Sequence, residues 1–218
     1  RFDNNAGGFK TDLYAASLFT TVALSKMVYL NAAAVTGRME YDLERKFNLG
    51  PAVERYTASP KADVTSLRVG GGTIHPVGDG WTLNPQLAYT DERVKLDGYN
   101  ESNGAASLSF GAIQYKAERV SLAMAVTKDP ENRDGWRPLA RYSFEQDLNK
   151  DDLAIRMGPD QNTLATVNAP RPDRNFQLLT VGAVKPMGPG HLNVHLATTL
   201  AQNGVSATSV GLSFKSRF

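Results

Sequence analysis

The 218 residues carry 24 basic and 22 acidic side chains, a balance that suggests neither nucleic acid nor an anionic surface as a partner. The absence of cysteine excludes a disulfide framework and thiol catalysis. No segment approaches the roughly 18 consecutive apolar residues of a membrane-spanning helix, and we expect one domain over residues 1–218.

The N-terminal part of the chain predicts three strands. Residues 1–8 are rich in glycine and asparagine and resemble the middle of a polar loop, so we expect further sequence upstream. Residues 9–23 and 27–39 predict two strands around a tight turn at 24–26. Residues 40–61 are charged and contain two prolines, which predicts a long loop in water before a third strand at 66–76.

The lipid-facing side of the first strand is predicted from a weak alternation of apolar residues. This face is expected to hold Tyr14, Ala16, Leu18, Thr20 and Val22.

The clearest alternation starts after the predicted turn at 77–80. Trp81, Leu83, Pro85, Leu87 and Tyr89 alternate with polar or small residues, and the aromatic at each end of this stripe is typical of a strand between two membrane interfaces. Residues 91–116 predict a second long polar connection, within which 107–115 extends a strand beyond the membrane. A strand at 120–127 and a charged turn at 128–135 follow.

Residues 136–145 predict a strand with one aromatic and one charged face. Trp136, Tyr142 and Phe144 share one face, whereas Arg137, Arg141 and Glu145 lie opposite and predict a polar lumen. Residues 147–175 predict the third long connection, and strands at 178–185 and 191–200 flank a turn at 186–190. Asn203 and Gly204 then predict a hairpin turn into the last strand.

The last strand, residues 208–218, alternates strictly and ends on an aromatic residue. Its apolar face is predicted to hold Val210, Leu212, Phe214, Ser216 and Phe218, and its opposite face Ser209, Gly211, Ser213, Lys215 and Arg217. A soluble edge strand would expose a terminal phenylalanine for no gain, whereas an outer-membrane strand places it at the lipid–water boundary. The pattern therefore favours a membrane strand over the last strand of a soluble β-sandwich.

The pattern predicts nine strands with short turns on one rim and long connections on the other, apart from one short hairpin on the long side. This segregation is typical of outer-membrane barrels, and a soluble sandwich has no reason to show it. We therefore expect an all-β, antiparallel, transmembrane outer-membrane β-barrel, although nine is an odd number for a bacterial single-chain barrel.

Several segments of the sequence resemble the C-terminal translocator barrel of autotransporters. They are Trp81-Thr-Leu-Asn-Pro85 with Val94-Lys-Leu-Asp-Gly-Tyr-Asn-Glu101, Pro138-Leu-Ala-Arg-Tyr-Ser-Phe-Glu145 with Asp152-Leu-Ala-Ile-Arg-Met157, and the terminal Gly211-Leu-Ser-Phe-Lys-Ser-Arg-Phe218. The segment Gly37-Arg-Met-Glu-Tyr-Asp-Leu-Glu-Arg-Lys-Phe47 resembles the branch that carries GDSL-type esterase passengers.

The resemblance implies a barrel of about twelve strands, preceded by a pore helix and an N-terminal passenger, so that the passenger, the helix and the first three strands would lie outside residues 1–218. It implies a Gram-negative outer membrane location, with the long loops extracellular and the C-terminus periplasmic. The expected partners are membrane lipid, the barrel-assembly machinery and the protein's own passenger or linker in the pore. The assembly signal would be Val210, Leu212, Phe214 and Phe218.

The sequence offers no catalytic residues, metal site or cofactor site. A Gly-x-Ser-x-Gly elbow and a Gly-Asp-Ser-Leu box are both absent, so an esterase serine would lie upstream. His191 and His195 would stand about 13 Å apart on a strand, too far to share one metal ion. Asp42, Glu44, Asp91 and Glu92 are predicted to be solvated loop residues rather than calcium ligands.

Two sets of residues are predicted to serve the barrel. The predicted lumen residues are Gln86, Arg137, Arg141, Glu145, Asn193, Lys215 and Arg217, which either contact a passenger linker or pair with one another to close the pore. The predicted aromatic girdle is Trp81, Tyr89, Trp136, Tyr142 and Phe144, with Phe218. The alternatives are a small-solute porin or adhesin-type barrel without a passenger, and an outer-membrane lipase with serine and histidine together on the lipid side.

Overall fold

The computed structural model describes residues 7–49, 52–102, 104–129, 135–149, 151–169, 174–188, 190–200 and 207–216. Within these ranges the regular structure consists of strands: β1 (Gly7–Ala23), β2 (Val28–Leu49), β3 (Ala52–Ala58), β4 (Lys61–Thr73), β5 (His75–Gly78), β6 (Trp81–Leu96), β7 (Tyr99–Asn100), β8 (Ser109–Phe110), β9 (Ile113–Lys128), β10 (Arg137–Asp147), β11 (Leu153–Gly158), β12 (Ala165–Ala169), β13 (Asn175–Met187), β14 (Gly190–Leu200) and β15 (Thr208–Ser216). Among the described residues, no helix is long and apolar enough to span a bilayer.

Nine long strands form one antiparallel sheet in the order β1-β2-β4-β6-β9-β10-β13-β14-β15, which curls into a half-barrel. Strands that follow one another along this path pair with each other, as hairpin connections dictate. The predicted all-β antiparallel fold with nine strands is therefore confirmed. Two further strands join the sheet at its rims, where β3 pairs with β2 and β5 pairs with β6.

The prediction of a loop at residues 40–61 is wrong. The ladder between β2 and β4 begins at Glu40 and Lys61, β2 continues to Leu49, and β3 then pairs back along the end of β2, with Glu44 opposite Thr57. Asp42 and Glu44 are therefore strand residues. Charged side chains on a strand that projects into water remain solvated, so their polarity does not end the backbone ladder.

The other two long connections are also more ordered than predicted. Asp91 and Glu92 lie inside β6, which ends at Leu96, and β9 begins at Ile113 rather than at residue 120. The residues between them, and those between β10 and β13, contribute to a second sheet in the order β12-β11-β8-β7. The predicted strand extension at 107–115 corresponds to β8 and the start of β9.

The short connections lie together on one rim, as the spacing of the strands predicts. Residues 24–27 link β1 to β2, and the link between β5 and β6 uses Gly78, Asp79 and Gly80 with φ of 97°, 49° and 75°. The left-handed conformation at these three positions closes the hairpin tightly. The predicted hairpin at Asn203 and Gly204, and most of the turn at 128–135, lie outside the described residues.

Candidate functional site

One face of the main sheet, which we call the inner face, carries small and polar side chains. The ladder aligns Gly72 with Gln86, Gln86 with Ala123, and Ala123 with Ser143, so four neighbouring strands contribute one residue each to a single row. Ser143 is fully buried and Ser121 is 2% exposed. Burial of such small residues in a curled sheet shows that they line its concave side.

The opposite face, which we call the outer face, is apolar and exposed. Leu87, Leu122 and Leu212 are its most exposed leucines in β6, β9 and β15, with 58%, 62% and 73% of their surface accessible. In β1, Val22 pairs with the exposed Leu30 and therefore points outward. Every second residue before Val22 shares its face, so the outer face of β1 holds the predicted Tyr14, Ala16, Leu18, Thr20 and Val22. A continuous apolar convex surface of this kind is suited to contact with lipid rather than water.

Tyr29 and Gly72 lie together at one end of the inner face. Tyr29 lies opposite Gly72, and its hydroxyl donates a hydrogen bond to Asn84 Oδ1 over 2.8 Å, across the strand between them. A Cβ on Gly72 would lie 2.6 Å from this hydroxyl oxygen and 2.8 Å from the carbonyl oxygen of Pro85. Glycine at position 72 therefore leaves the space that the Tyr29 ring occupies over the inner face.

Charged side chains from three strands, β6, β9 and β10, lie on the inner face on both sides of this row. Glu145 is 8% exposed and accepts a hydrogen bond of 2.8 Å from Ser121 Oγ on the neighbouring strand. Arg119 and Glu92 form an ion pair of 3.0 Å. Arg141 donates from Nε to Gln86 Oε1 over 3.4 Å, across the strand between them.

The structure places five of the predicted lumen residues on this face. Gln86, Arg141 and Glu145 converge, whereas Arg137 lies at the rim of short connections, 3.6 Å from a carboxylate oxygen of Asp129. Asn193 lies in the same row as Arg137, because both residues pair with Val184 on the strand between them. The Oδ1 atom of Asn193 is buried without a hydrogen-bond partner among the described residues. The side chain of Lys215, and Arg217, lie outside the described part of the chain.

Sequence reasoning missed several polar residues of the inner face: Tyr29, Arg68, Asn84, Glu92 and Arg119. Glu92 falls in the polar connection predicted at 91–116, and Arg119 lies just before the strand predicted at 120–127. The signal that could have found Tyr29 is the triple glycine at 70–72, since glycine inside a strand often marks a close approach of a large side chain.

The two histidines of β14 also belong to the inner face. The ring of His195 covers Gly211 of β15, where a Cβ would overlap it, and His195 Nδ1 is buried without a partner in the described chain. Within the described residues, no three histidine or acidic side chains group closely enough to hold a metal ion. His195 therefore packs the terminal strand against its neighbour.

The predicted girdle and assembly residues lie on the outer face. Trp81, Tyr89, Trp136, Tyr142 and Phe144 are all exposed. Both tryptophans lie beside the rim of short connections, with the Nζ atoms of Lys128 and Lys185 at 5.4 and 5.8 Å from their respective ring centres. Val210, Leu212 and Phe214 project outward from β15, whereas Phe218 lies outside the described residues.

The three long connections dock on one another and form what we call the cap. The guanidinium of Arg45, on the projecting end of β2, makes a two-fold hydrogen bond to the carboxylate of Glu101, with 2.8 Å for Nε and 2.5 Å for Nη2. This hydrogen-bonded carboxylate raises the pKa of Arg45 above its ordinary value. The same guanidinium lies 4.6 Å from the ring centre of Tyr56, whose hydroxyl accepts from the Ala106 amide.

The cap extends to the third connection through backbone pairing. β8 pairs with β11, and Tyr99 and Phe110 stack with ring centres 4.7 Å apart. Gln161 Nε2 donates to Asn100 Oδ1 over 2.8 Å. The polar connections therefore form one folded body above one rim of the sheet.

Most of the chain matches one family model. Residues 1–197 match the family model described as the autotransporter beta-domain. The fold is similar to the translocator domain of the autotransporter NalP from Neisseria meningitidis, with a TM-score of 0.77 and 17% identity over 98% of this chain and 68% of that one. It is also similar to the beta domain of the Bordetella autotransporter BrkA, with a TM-score of 0.62 and 16% identity over 95% of this chain and 72% of that one.

A curated relative from Pseudomonas putida, an uncharacterized protein in the trpE-trpG intergenic region, is 29% identical over 152 residues, which is 65% of this chain. The chain spans about a quarter of that relative's length, since the match covers 25% of it.

Proposed function

Since the chain belongs to the autotransporter beta-domain family, we propose that it forms part of a translocator barrel that anchors an N-terminal passenger and helps to export it across the outer membrane. The beta-domains of this family lie in the Gram-negative outer membrane and are not enzymes. The single observation that carries the proposal is the pairing of an exposed apolar outer face with a polar concave inner face on one sheet. Such a wall separates lipid from a polar passage.

The proposed mechanism is physical. Strands with a neighbour on each side satisfy their backbone hydrogen bonds within the sheet, and a closed barrel would cross hydrocarbon without unpaired amide groups. The polar inner face, from Tyr29 to Glu145, offers hydrogen-bond donors and acceptors to a peptide segment that joins the barrel to its passenger. We propose that strands encoded upstream complete the barrel to about twelve and cover the outer edge of β1.

The proposed orientation places the cap outside the cell and the rim of short connections in the periplasm. The cap supports this orientation because its long, polar and folded connections suit the extracellular side of an outer-membrane barrel.

We propose that the barrel-assembly machinery inserts the protein through its terminal strand. The exposed apolar row of Val210, Leu212 and Phe214 on β15 supports this role.

The passenger is proposed to be a GDSL-type esterase. Support comes from the segment Gly37 to Phe47, which resembles that branch of the family and which forms the projecting half of β2. Hydrolysis of a short-chain ester by intact cells, lost when the upstream serine of the full-length protein is replaced, would support this assignment. Surface display without ester hydrolysis would contradict the esterase and leave the translocator intact.

Protease treatment of intact cells that express the full-length protein tests the export function. We expect the upstream domain to be cleaved from outside in the wild type. Replacing Val210, Leu212 and Phe214 together by serine removes the apolar row of β15 and is expected to abolish cleavage and to deplete folded protein from the outer membrane. The matched control replaces Ser209 and Ser213, on the other face of the same strand, by alanine and should retain both. A passenger that never reaches the surface in the wild type would contradict the proposal.

A further inference from the structure

The second sheet of the cap ends in an exposed edge strand. β12 (Ala165–Ala169) pairs with β11 on one side, and no other strand of the described chain pairs with it. Its first four residues are exposed, and Val167 keeps 49% of its surface accessible. Within the described residues, the backbone on the free side of β12 therefore has no strand partner.

The register identifies which backbone groups point to this free side. The carbonyl oxygen of Arg156 on β11 accepts from the amide of Gly111, which follows β8 on the side of β11 opposite to β12. In an antiparallel ladder, residues alternate between exchanging both hydrogen bonds with their partner and pointing both groups away from it. Arg156 pairs with Thr166, so the backbone N–H and C=O of Thr166 point to the free side, as do those of Asn168. This side therefore offers two donors and two acceptors.

Other short edges of the cap carry protection that β12 lacks. β3 holds two charged residues, and its Thr57 is covered by Ser102, whose amide donates to the Thr57 carbonyl oxygen over 2.8 Å and whose Oγ accepts from the Thr57 amide over 3.0 Å. β7, at the opposite end of the second sheet, has only two residues. Charges, covering loops and short length keep edge strands from pairing with other chains. The sequence of β12, Ala-Thr-Val-Asn-Ala, contains neither a charge nor a proline.

This sequence is complementary to itself in the antiparallel direction. When Thr166 of one chain faces Asn168 of a second copy, the two residues exchange both of their free backbone hydrogen bonds. Symmetry repeats this pair, so both donors and both acceptors of each copy are satisfied. Val167 then faces Val167 of the second copy in a non-hydrogen-bonded pair with Cα atoms about 4.5 Å apart, and Ala165 faces Ala169.

The neighbouring strand β11 is compatible with this pairing. Arg156 lies beside Thr166, and its row continues across the contact to Asn168 and Ala154 of the second copy, so the two arginines do not face each other. On the opposite face Val167 lies beside Ile155, and the pairing places these residues of both copies in one apolar row. Burial of the exposed valines adds hydrophobic stabilisation to the backbone hydrogen bonds.

We propose that the free edge of β12 pairs with the same edge of a second copy of this chain, so that two protein molecules meet through their caps. The contact is two-fold symmetric, as is usual in homodimers. It is small, since each copy contributes one short strand, and such small interfaces belong to weak, transient contacts. The contact does not depend on a passenger, because the groups that form it lie within residues 153–169.

Disulfide trapping on cells that express the full-length protein tests this contact, with the protein without introduced cysteine as the blank. V167C is expected to form a covalent dimer on mild oxidation, because its thiols face each other at the symmetry axis. T166C is the matched control on the same strand. The proposed register places the two Thr166 Cα atoms more than about 8 Å apart, beyond the roughly 7 Å that a disulfide spans.

The variant V167C/N168P tests the backbone pairing itself. The amide of Asn168 points away from β11, so proline removes a donor of the free edge and leaves the ladder to β11 intact. We expect this variant to lose the dimer. Retention of the gel shift between unheated and heated samples shows that each variant is folded, and the comparison of V167C with T166C decides the proposal if the proline variant fails this check.

Equal dimer fractions for V167C and T166C would overturn the proposal, because random collisions would then account for both. A monomeric V167C would overturn it as well. Reaction of that thiol with a soluble maleimide would then show an open edge, whereas protection would show an edge covered by an extended peptide segment. Protease accessibility of the upstream domain, measured on the same cells, tests the export function separately.

Discussion

Replacing Leu122 by arginine is expected to destabilise the protein in a bilayer by about 2–4 kcal/mol, because the side chain would place a charge in the hydrocarbon near the middle of β9. Leu122 is 62% exposed, so the leucine makes few contacts within the protein that its loss could remove. In a soluble protein the same change at so exposed a position would usually alter stability by less than about 0.5 kcal/mol. The large effect therefore comes from the surrounding lipid.

Val53→Arg is the matched control for this prediction. Val53 is 59% exposed and also lies on a strand, but β3 belongs to the part of the sheet that projects beyond the rim. We expect the folded fraction of Val53→Arg in urea-unfolding experiments in liposomes to follow that of the wild type. Equal unfolding midpoints for the two arginine variants would contradict a lipid-facing outer surface.

Gly72→Val is expected to give the second large effect, a loss of about 3 kcal/mol or failure to fold, because overpacking a tightly filled site forces backbone and side chains apart. The new Cβ would lie 2.6 Å from the hydroxyl of Tyr29 and 2.8 Å from the Pro85 carbonyl oxygen. The tyrosine would have to leave its place and give up its hydrogen bond to Asn84. The backbone oxygen has no comparable freedom to move.

Gly8→Val provides the control, since a Cβ at Gly8 meets no other atom within 4 Å. Both changes add the same β-branched residue to a strand, so they differ mainly in the space around the new side chain. Unfolding in liposomes should separate the two variants clearly. If Gly72→Val folded as well as Gly8→Val, the close contact between Tyr29 and β4 would be refuted.

Much of the fold could be predicted from the alternation of side chains. A strand with one face toward lipid and the other toward a polar interior alternates apolar and polar residues, and this alternation identifies the strand. Examples are the segments from Trp81 to Tyr89 and from Val210 to Phe214. The turns at 24–26 and 77–80 were equally clear, because tight hairpins require particular residues.

The prediction failed where strands leave the membrane. Beyond the rim both faces of a strand meet water, so alternation vanishes although the backbone ladder continues, as in β2 after Glu40 and in β6 after Thr90. The cap could not be predicted for a similar reason. Its key contact joins Arg45 to Glu101, which are 56 residues apart, and no local pattern marks such a pair.

The inner face was predicted only in part, because its hydrogen bonds join residues that are far apart in the sequence. Alternation predicted the inward direction of Arg141 and Glu145, but the hydrogen bond from Arg141 to Gln86 crosses an intervening strand and depends on the register and curvature of the sheet. Curvature in turn depends on small residues such as Gly70 and Ala123, whose role is evident only once the register is known.

Cysteine labelling of intact cells tests the central claim most directly, and the absence of native cysteine makes each introduced thiol unique within this chain. Three variants report three environments: V53C on the cap side, K26C in a short connection, and L122C on the outer face. With a membrane-impermeant maleimide, we expect V53C to react on intact cells and K26C only after the outer membrane is permeabilised. L122C should react in neither case. Labelling of K26C on intact cells, or of L122C as readily as V53C, would contradict a barrel wall in the outer membrane with its cap at the cell surface.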